Sequence, residues 1–230
     1  MQEVADIARS RKILTVVDNT FASPINQHPI DHGIDIVVHS GTKYLGGHSD
    51  LSFGAVVGAG TLVAQIREKA KRYDGNTNAL TCYLMERSLK TLAVRVEAQN
   101  RNAMAIAEYL ASHVMINATN YPGLTSHAGH KVAAQHMMGF GGMLSFELPG
   151  ERAATDFLRQ LTLIIAAVSL GGVETLVSLT MHMSHATLSA DERRACGIAD
   201  GLVRLSVGIE TIDDLISDLK QARKTFEIDR

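Results

Sequence analysis

The sequence predicts an α/β protein in which a parallel-rich sheet is followed by an α+β part. Three observations carry this. Val/Ile-rich runs at 12–17, 34–38 and 53–57 each stop at polar or glycine residues, the pattern of parallel strands buried on both faces. Residues 78–112 contain no Pro or Gly and repeat Leu80, Leu84, Leu89, Leu92, Val96, Met104, Ile106 and Leu110 at helical spacing. Beyond that stretch, short strands mix with short helices, as in an α+β layer.

Taken in order, residues 2–10 read as a helix leading into the 12–17 strand, which stops at Asp18. The 34–38 strand ends in His39-Ser40-Gly41-Thr42-Lys43, and the 53–57 strand in Gly58-Ala59-Gly60. Thr61 is the expected N-cap of a helix reaching Lys71, whose Arg67, Lys69, Lys71 and Arg72 form a solvated face. The 78–112 stretch is expected as one long or kinked helix. Strands are expected near 114–118, 142–148, 163–168 and 202–207, and helices near 128–138, 151–160, 189–196 and 212–225. Two of these helix starts, Ser189-x-x-Glu192 and Thr211-x-x-Asp214, have capping-box spacing. The pattern divides the chain into 1–88, the end of a larger ligand-binding domain, and 89–230, a smaller α+β domain.

Composition narrows the function. With 230 residues, 46% apolar and 20% charged, this is an ordinary globular chain. Twenty-two Lys+Arg against 24 Asp+Glu, a net charge of −2, argues against a nucleic-acid partner. The longest apolar run, 161–170, is too short to cross a bilayer, and the start of the chain lacks the basic and apolar regions of a signal peptide. Cys82 and Cys196 follow no zinc or redox spacing and read as free thiols of a cytoplasmic protein.

Open α/β sheets bind ligands beyond the carboxyl ends of their strands, where Asp18 and Ser40–Lys43 are expected. Hydroxyls and backbone N–H groups there can hold a phosphate, and a lysine can form a Schiff base with a carbonyl. Taken alone, Lys43 reads more simply as a solvated lysine in a polar loop. Asp18, expected to be partly buried, reads alone more simply as a cap. Together, an Asp and a Ser-x-Thr-Lys on neighbouring strand ends are what pyridoxal 5'-phosphate requires: an acid for the pyridine nitrogen and an amine for the aldehyde carbon. Period-two alternation sets Arg204 with Leu202 and Ser206, opposite Val203, Leu205 and Val207. Arg204 therefore pairs with an acid or faces a cleft, where its fork suits a carboxylate. The His127/His130 and His182/His185 pairs lack the acid or thiol that would complete a metal site, so no metal is expected. Met137, Met138, Met143 and Phe140 are read as core.

Val17-Asp18-Asn19-Thr20-Phe21-Ala22-Ser23-Pro24 and Val38-His39-Ser40-Gly41-Thr42-Lys43-Tyr44-Leu45-Gly46-Gly47-His48-Ser49-Asp50 resemble the signature of the Cys/Met-metabolism pyridoxal-phosphate enzymes. Ser169-Leu170-Gly171-Gly172-Val173-Glu174-Thr175-Leu176 and the 202–210 segment are similar to that family as well. The resemblance implies the C-terminal part of a fold-type-I pyridoxal-phosphate-dependent transferase. It implies Lys43 as the Schiff-base lysine, Asp18 as partner of the pyridine nitrogen, and Ser40 and Thr42 as phosphate ligands. Arg204, with Ser169 close by, is implied to clamp an amino-acid substrate's carboxylate. A cytoplasmic homo-oligomer, a tetramer built from dimers, is the assembly implied. Family chains also carry an upstream Ser-Gly-Met phosphate loop, a ring-stacking aromatic and a Tyr-x-Arg segment, none of which this sequence contains. The chain is thus expected to be a C-terminal portion of such an enzyme and, alone, to bind the cofactor poorly.

The resemblance leaves the reaction divided. Val168 is like methionine γ-lyase, Gly171-Gly172 is closer to the cystathionine enzymes, and Leu170 stands where β-lyases often have an aromatic residue. A C–S lyase for cystathionine or a related sulfur amino acid is the expectation. The alternatives are a cystathionine γ-synthase and a catalytically silent chain; the sequence contexts argue against an aminotransferase.

Overall fold

A computed structural model describes residues 1–180 and 188–227; His182 and His185 lie outside the described residues. Helix α1 (Gln2–Ser10) leads to strand β1 (Val16–Asp18), a short helix α2 (Ser23–Asn26), a 3-10 turn (Pro29–His32) and strand β2 (Ile36–Ser40). Strand β3 (Gly54–Gly58) completes a sheet of order β1-β2-β3. β1 and β2 are parallel, with Asp18 beside Val38. β3 is antiparallel to β2, Ser40 pairing Gly54, which corrects the expectation of a third parallel strand. The 41–53 segment turns straight back, without the crossover that a parallel strand needs. Burial on both faces holds mainly for β2. Val16 on β1 is 61% exposed and Val57 on β3 is 51% exposed, because these are the edges of the sheet.

Helix α3 (Gly60–Arg72) buries none of its residues. Its N-cap is Ala59, not Thr61: the Leu62 and Val63 N–H groups already donate to the Ala59 carbonyl. The expected long helix is two, α4 (Ala79–Leu89) and α5 (Leu92–Ala111). Asn78 caps α4 by accepting from the Thr81 N–H at 2.9 Å. The break needs no Pro or Gly. The Thr91 hydroxyl donates to the Ser88 carbonyl at 3.1 Å and so competes for the acceptor at the helix end.

The second sheet contains β4 (Ala118–Asn120), β5 (Met143–Glu147), β6 (Ile165–Ala166), β7 (Leu176–Leu179) and β8 (Leu202–Ser206), in the order β4-β5-β8-β7-β6. Only β6 and β7 are parallel. Sequence reading missed β7, where Thr175 and Ser178 interrupt the apolar run, although all four of its residues are buried. Phe146, Val203, Leu205 and Val207 on one face pack against Ala103, Ile106, Leu215 and Leu219, closing the main core with α5, α7 (Glu151–Gln160) and α9 (Ile212–Glu227). Asp218 fastens α9 to the 162–164 segment. Its carboxylate accepts from the Thr162 N–H and hydroxyl and from the Leu163 and Ile164 N–H groups, at 2.8–3.0 Å. Burial pushes the Asp218 carboxyl up, but these donors together outweigh burial and hold it below its ordinary range.

Between β4 and β5 lies α6 (His130–His136), and α8 (Ala190–Ala195) precedes β8. The Ser189–Glu192 capping box forms as expected. At Thr211, the contacts to Asp214 and Leu215 use its backbone carbonyl.

Candidate functional site

β2 delivers its carboxyl end into a tight turn in which the Lys43 N–H donates to the Ser40 carbonyl at 3.2 Å. Gly46 N–H closes on the Gly41 carbonyl at 2.8 Å, and Gly47 N–H on the Lys43 carbonyl at 2.7 Å. Gly41 admits no side chain, because a Cβ there would overlap the Phe53 ring. The Thr42 hydroxyl accepts from the Phe53 N–H at 3.3 Å, so it also ties the turn to the segment entering β3.

From this turn Lys43 Nζ donates to Ser169 Oγ at 2.8 Å. The Ser169 carbonyl accepts from Arg204 Nη2 at 2.7 Å. Ser169 holds a φ of +97°, a region that costs a non-glycine residue on the order of 1–3 kcal/mol. That backbone turns its hydroxyl to the lysine and its carbonyl to the arginine. Arg204 lies in the middle of β8, opposite Ser145 on β5 and Ser178 on β7. No carboxylate pairs with it among the described residues, and its Nε is buried without a protein partner. Burial depresses its pKa. Of the two sequence readings, the acid-paired one is therefore not seen.

Asp18 ends β1 beside this turn. Its Oδ1 accepts from both the N–H and the hydroxyl of Thr20. The Thr20 oxygen in turn accepts from the Ser40 N–H at 2.8 Å, linking the acid to the lysine turn. The Thr20 hydroxyl, then its N–H, hold the Asp18 carboxyl below the usual carboxylate range against a small cost of burial; the nearby His39 ring adds to the depression. Asp18 is exposed, not partly buried as expected, because β1 is a sheet edge.

A cavity of about 280 Å³ adjoins Asp18, walled partly by Phe21, Met137, Phe140 and Met143. The reading of these methionines as core is thus only partly right. Phe140 and Met143 pack on core clusters yet wall this cavity, and Met138 is 69% exposed. His127 and His130 serve the turn before α6: His127 Nδ1 accepts from the Gly129 N–H, and His130 Nδ1 lies 2.8 Å from the Pro122 carbonyl oxygen. Thr20 was the residue that sequence reading missed. Its signal was a hydroxyl two positions after an aspartate, the spacing of a side-chain turn.

Lys43 and Arg204 thus meet at Ser169, and Thr20 links Asp18 to the start of the lysine turn. These groups define a class of site, one suited to an amine-reactive carbonyl and a carboxylate-bearing ligand. The chain belongs to the Cys/Met metabolism PLP-dependent enzyme family, whose model matches residues 1–224. It is 45% identical over 223 residues to the cystathionine beta-lyase of Lactococcus lactis subsp. cremoris (strain MG1363), covering 96% of this chain and 59% of that relative. It is 43% identical to the cystathionine gamma-lyase of Bacillus subtilis (strain 168), covering 95% of this chain and 58% of that relative. Its fold matches the crystal structure of a cystathionine gamma synthase from Xanthomonas oryzae pv. oryzae with a TM-score of 0.94 at 44% identity, over 99% of this chain and 59% of that one. The chain therefore spans somewhat under three-fifths of the length of these relatives.

Proposed function

We propose that this chain carries the pyridoxal-phosphate site of a trans-sulfuration enzyme, a C–S lyase acting on cystathionine or a related sulfur amino acid. The observation that supports it best is Ser169 holding Lys43 Nζ on its hydroxyl and Arg204 Nη2 on its carbonyl. An amine and a guanidinium referenced to one residue can serve the two ends of an α-amino acid. The donor set suits the cofactor: a primary amine, an acid kept ionised by Thr20, and hydroxyls at a strand end.

When bound, pyridoxal phosphate supplies the electron sink that draws charge from the substrate Cα. Lys43 would hold the cofactor by its amine, and that amine would serve as the base and acid at the substrate Cα. Asp18 would hold the pyridine nitrogen, its carboxylate favouring the protonated ring through a charge-assisted hydrogen bond. Ser40 and Thr42 contribute hydroxyls to the phosphate. Arg204 would orient the substrate carboxylate, with Ser169 contacting both side chains. In this reading residues 1–88 belong to the cofactor-binding domain and 89–230 to the smaller domain of a cytoplasmic homo-oligomer. No helix among the described residues is long and apolar enough to cross a membrane.

The structural likeness to a γ-synthase favours a second reading, in which cysteine replaces the ester group of an activated homoserine. Incubation with cystathionine and, separately, with a homoserine ester plus cysteine tests both. Release of an α-keto acid and ammonia from cystathionine supports the lyase. Cystathionine accumulating only in the second mixture supports the synthase, and no turnover in either leaves the silent chain.

A further inference from the structure

The α5 helix carries a buried cation that the proposed chemistry does not use. Arg95 is 3% exposed and has no acidic partner among the described residues. Its guanidinium donates only to neutral acceptors: the carbonyl of Tyr44 at 2.9 Å, Leu45 at 3.5 Å and Ser88 at 3.0 Å, and Thr91 Oγ1 at 3.1 Å. Burying a cation without a counter-ion is costly, so every one of those dipoles matters. Burial alone depresses its pKa.

The acceptors identify what the cation holds. In the turn that carries Lys43, the carbonyls of Ser40, Gly41 and Lys43 are taken by backbone N–H groups within the turn. The next two carbonyls, of Tyr44 and Leu45, are left for Arg95, and that of Gly46 lies against His48 Nδ1 at 2.8 Å. Arg95 thus closes this turn as a cation closes the C-terminal end of a helix. Gly47 makes room for it, since a Cβ there would fall 2.0 Å from Nη1. One helical turn further on, buried Gln99 donates to the Gly172 carbonyl at 2.7 Å, three residues beyond Ser169. Residues four apart on a helix lie on one face.

We infer that Arg95 and Gln99 are positioning residues that set the Lys43–Ser169 pair from a single face of α5. Arg95 fixes the turn that aims the lysine, and Gln99 fixes the loop that presents the serine. The inference rests on the reading of Lys43 as the residue that takes pyridoxal phosphate.

The test traps that reaction in the full chain. The protein is incubated with pyridoxal phosphate at millimolar concentration, reduced with borohydride, and mapped by peptide mass spectrometry. The label on Lys43 is scored relative to Lys69, exposed on α3 and away from the residues that Arg95 and Gln99 touch. Arg95→Lys keeps the charge and loses the fork, and Gln99→Leu loses the donor. Each is expected to lower the Lys43:Lys69 ratio at least threefold, and Arg95→Leu at least tenfold. Asp218→Asn, which loosens α9 far from the turn, is expected to lower the Tm and leave the ratio within twofold of wild type. Should Arg95→Leu fail to fold, the two milder variants decide. The inference is overturned if folded Arg95→Lys and Gln99→Leu keep the wild-type ratio, or if Asp218→Asn lowers it equally. A wild-type chain with no preference for Lys43 removes the cofactor reading, and this inference with it.

Discussion

Lys43 Nζ lies 2.8 Å from Ser169 Oγ, joining residues 126 positions apart in the chain. The contact brings the end of a strand in the three-stranded sheet to the segment between β6 and β7 of the other sheet. Ser169 reaches both Lys43 and Arg204 only by holding a backbone angle that a serine ordinarily avoids. Strained backbone of this kind persists where surrounding contacts over-determine it, and here those contacts are the candidate site itself.

In a version extended to the full length of its relatives, Lys43→Ala is expected to abolish both the yellow absorbance of bound cofactor and its fixation by borohydride. The absorption spectrum and peptide map of the reduced protein check this. Cofactor fixed to another lysine with undiminished yield would sink the assignment.

Asp18→Asn separates geometry from charge. An asparagine Oδ1 can still accept from the Thr20 N–H and hydroxyl, so the turn survives. Only the negative charge is lost. Cofactor binding is expected to persist while turnover falls on the order of 10²-fold or more. Equilibrium binding and kcat, measured together, check it; unchanged kcat refutes the role.

Arg204→Ala removes a cation whose side-chain contact is to a neutral carbonyl. Binding of every amino-acid substrate is expected to weaken by a similar factor, worth about 2–5 kcal/mol. KM or Kd across several substrates measures it, with circular dichroism to show that the variant folds. Weakening confined to one side-chain type, or simple unfolding, would assign Arg204 another role.

Ser169→Gly and Ser169→Ala both delete the hydroxyl that Lys43 uses, but only glycine relieves the positive φ. Glycine gains back strain of about 1–3 kcal/mol and loses about 0.5–1 kcal/mol through unfolded-state entropy. The glycine variant is therefore expected to be the more stable in urea, with both impaired in function. A glycine variant less stable than the alanine variant by about 0.5–1 kcal/mol would show that the backbone there carries no strain.

Asp218 makes stability pH-dependent. Its folded pKa is depressed, so its contribution is full above the ordinary carboxylate range and is lost as pH falls through the folded value, below about pH 4. Asp218→Asn keeps one acceptor oxygen and leaves buried N–H groups short, a loss of about 2–4 kcal/mol at neutral pH. Urea titrations from pH 7 to 3 are expected to show a shallower acid decline in the variant than in wild type.

Much of this was legible along the chain. Period-two alternation placed Arg204 opposite Val203 and Leu205, which are fully buried. The helix predicted at 151–160 is α7, and the Ser189 capping box formed as its spacing required. These features depend on near neighbours and on which side chains avoid water. Strand direction was less legible, since a valine-rich run reads alike in either direction; β3 is antiparallel because the 41–53 segment turns straight back. β7 was hidden because its apolar run is only four residues long with Ser178 inside it; its place between β6 and β8 shows it to be a strand.

The chemistry available here is written along the chain: a lysine behind two hydroxyls, an acid at a strand end, and an arginine in an apolar strand. Tertiary structure decided how those groups meet. Ser169 became the junction of Lys43 and Arg204, Thr20 the holder of Asp18, and Arg95 with Gln99 the supports beneath them. The reason is physical. Local patterns report which residues shun water and where a helix begins, whereas a buried cation or carboxylate takes its partners from whatever carbonyls and N–H groups the packed chain brings to it.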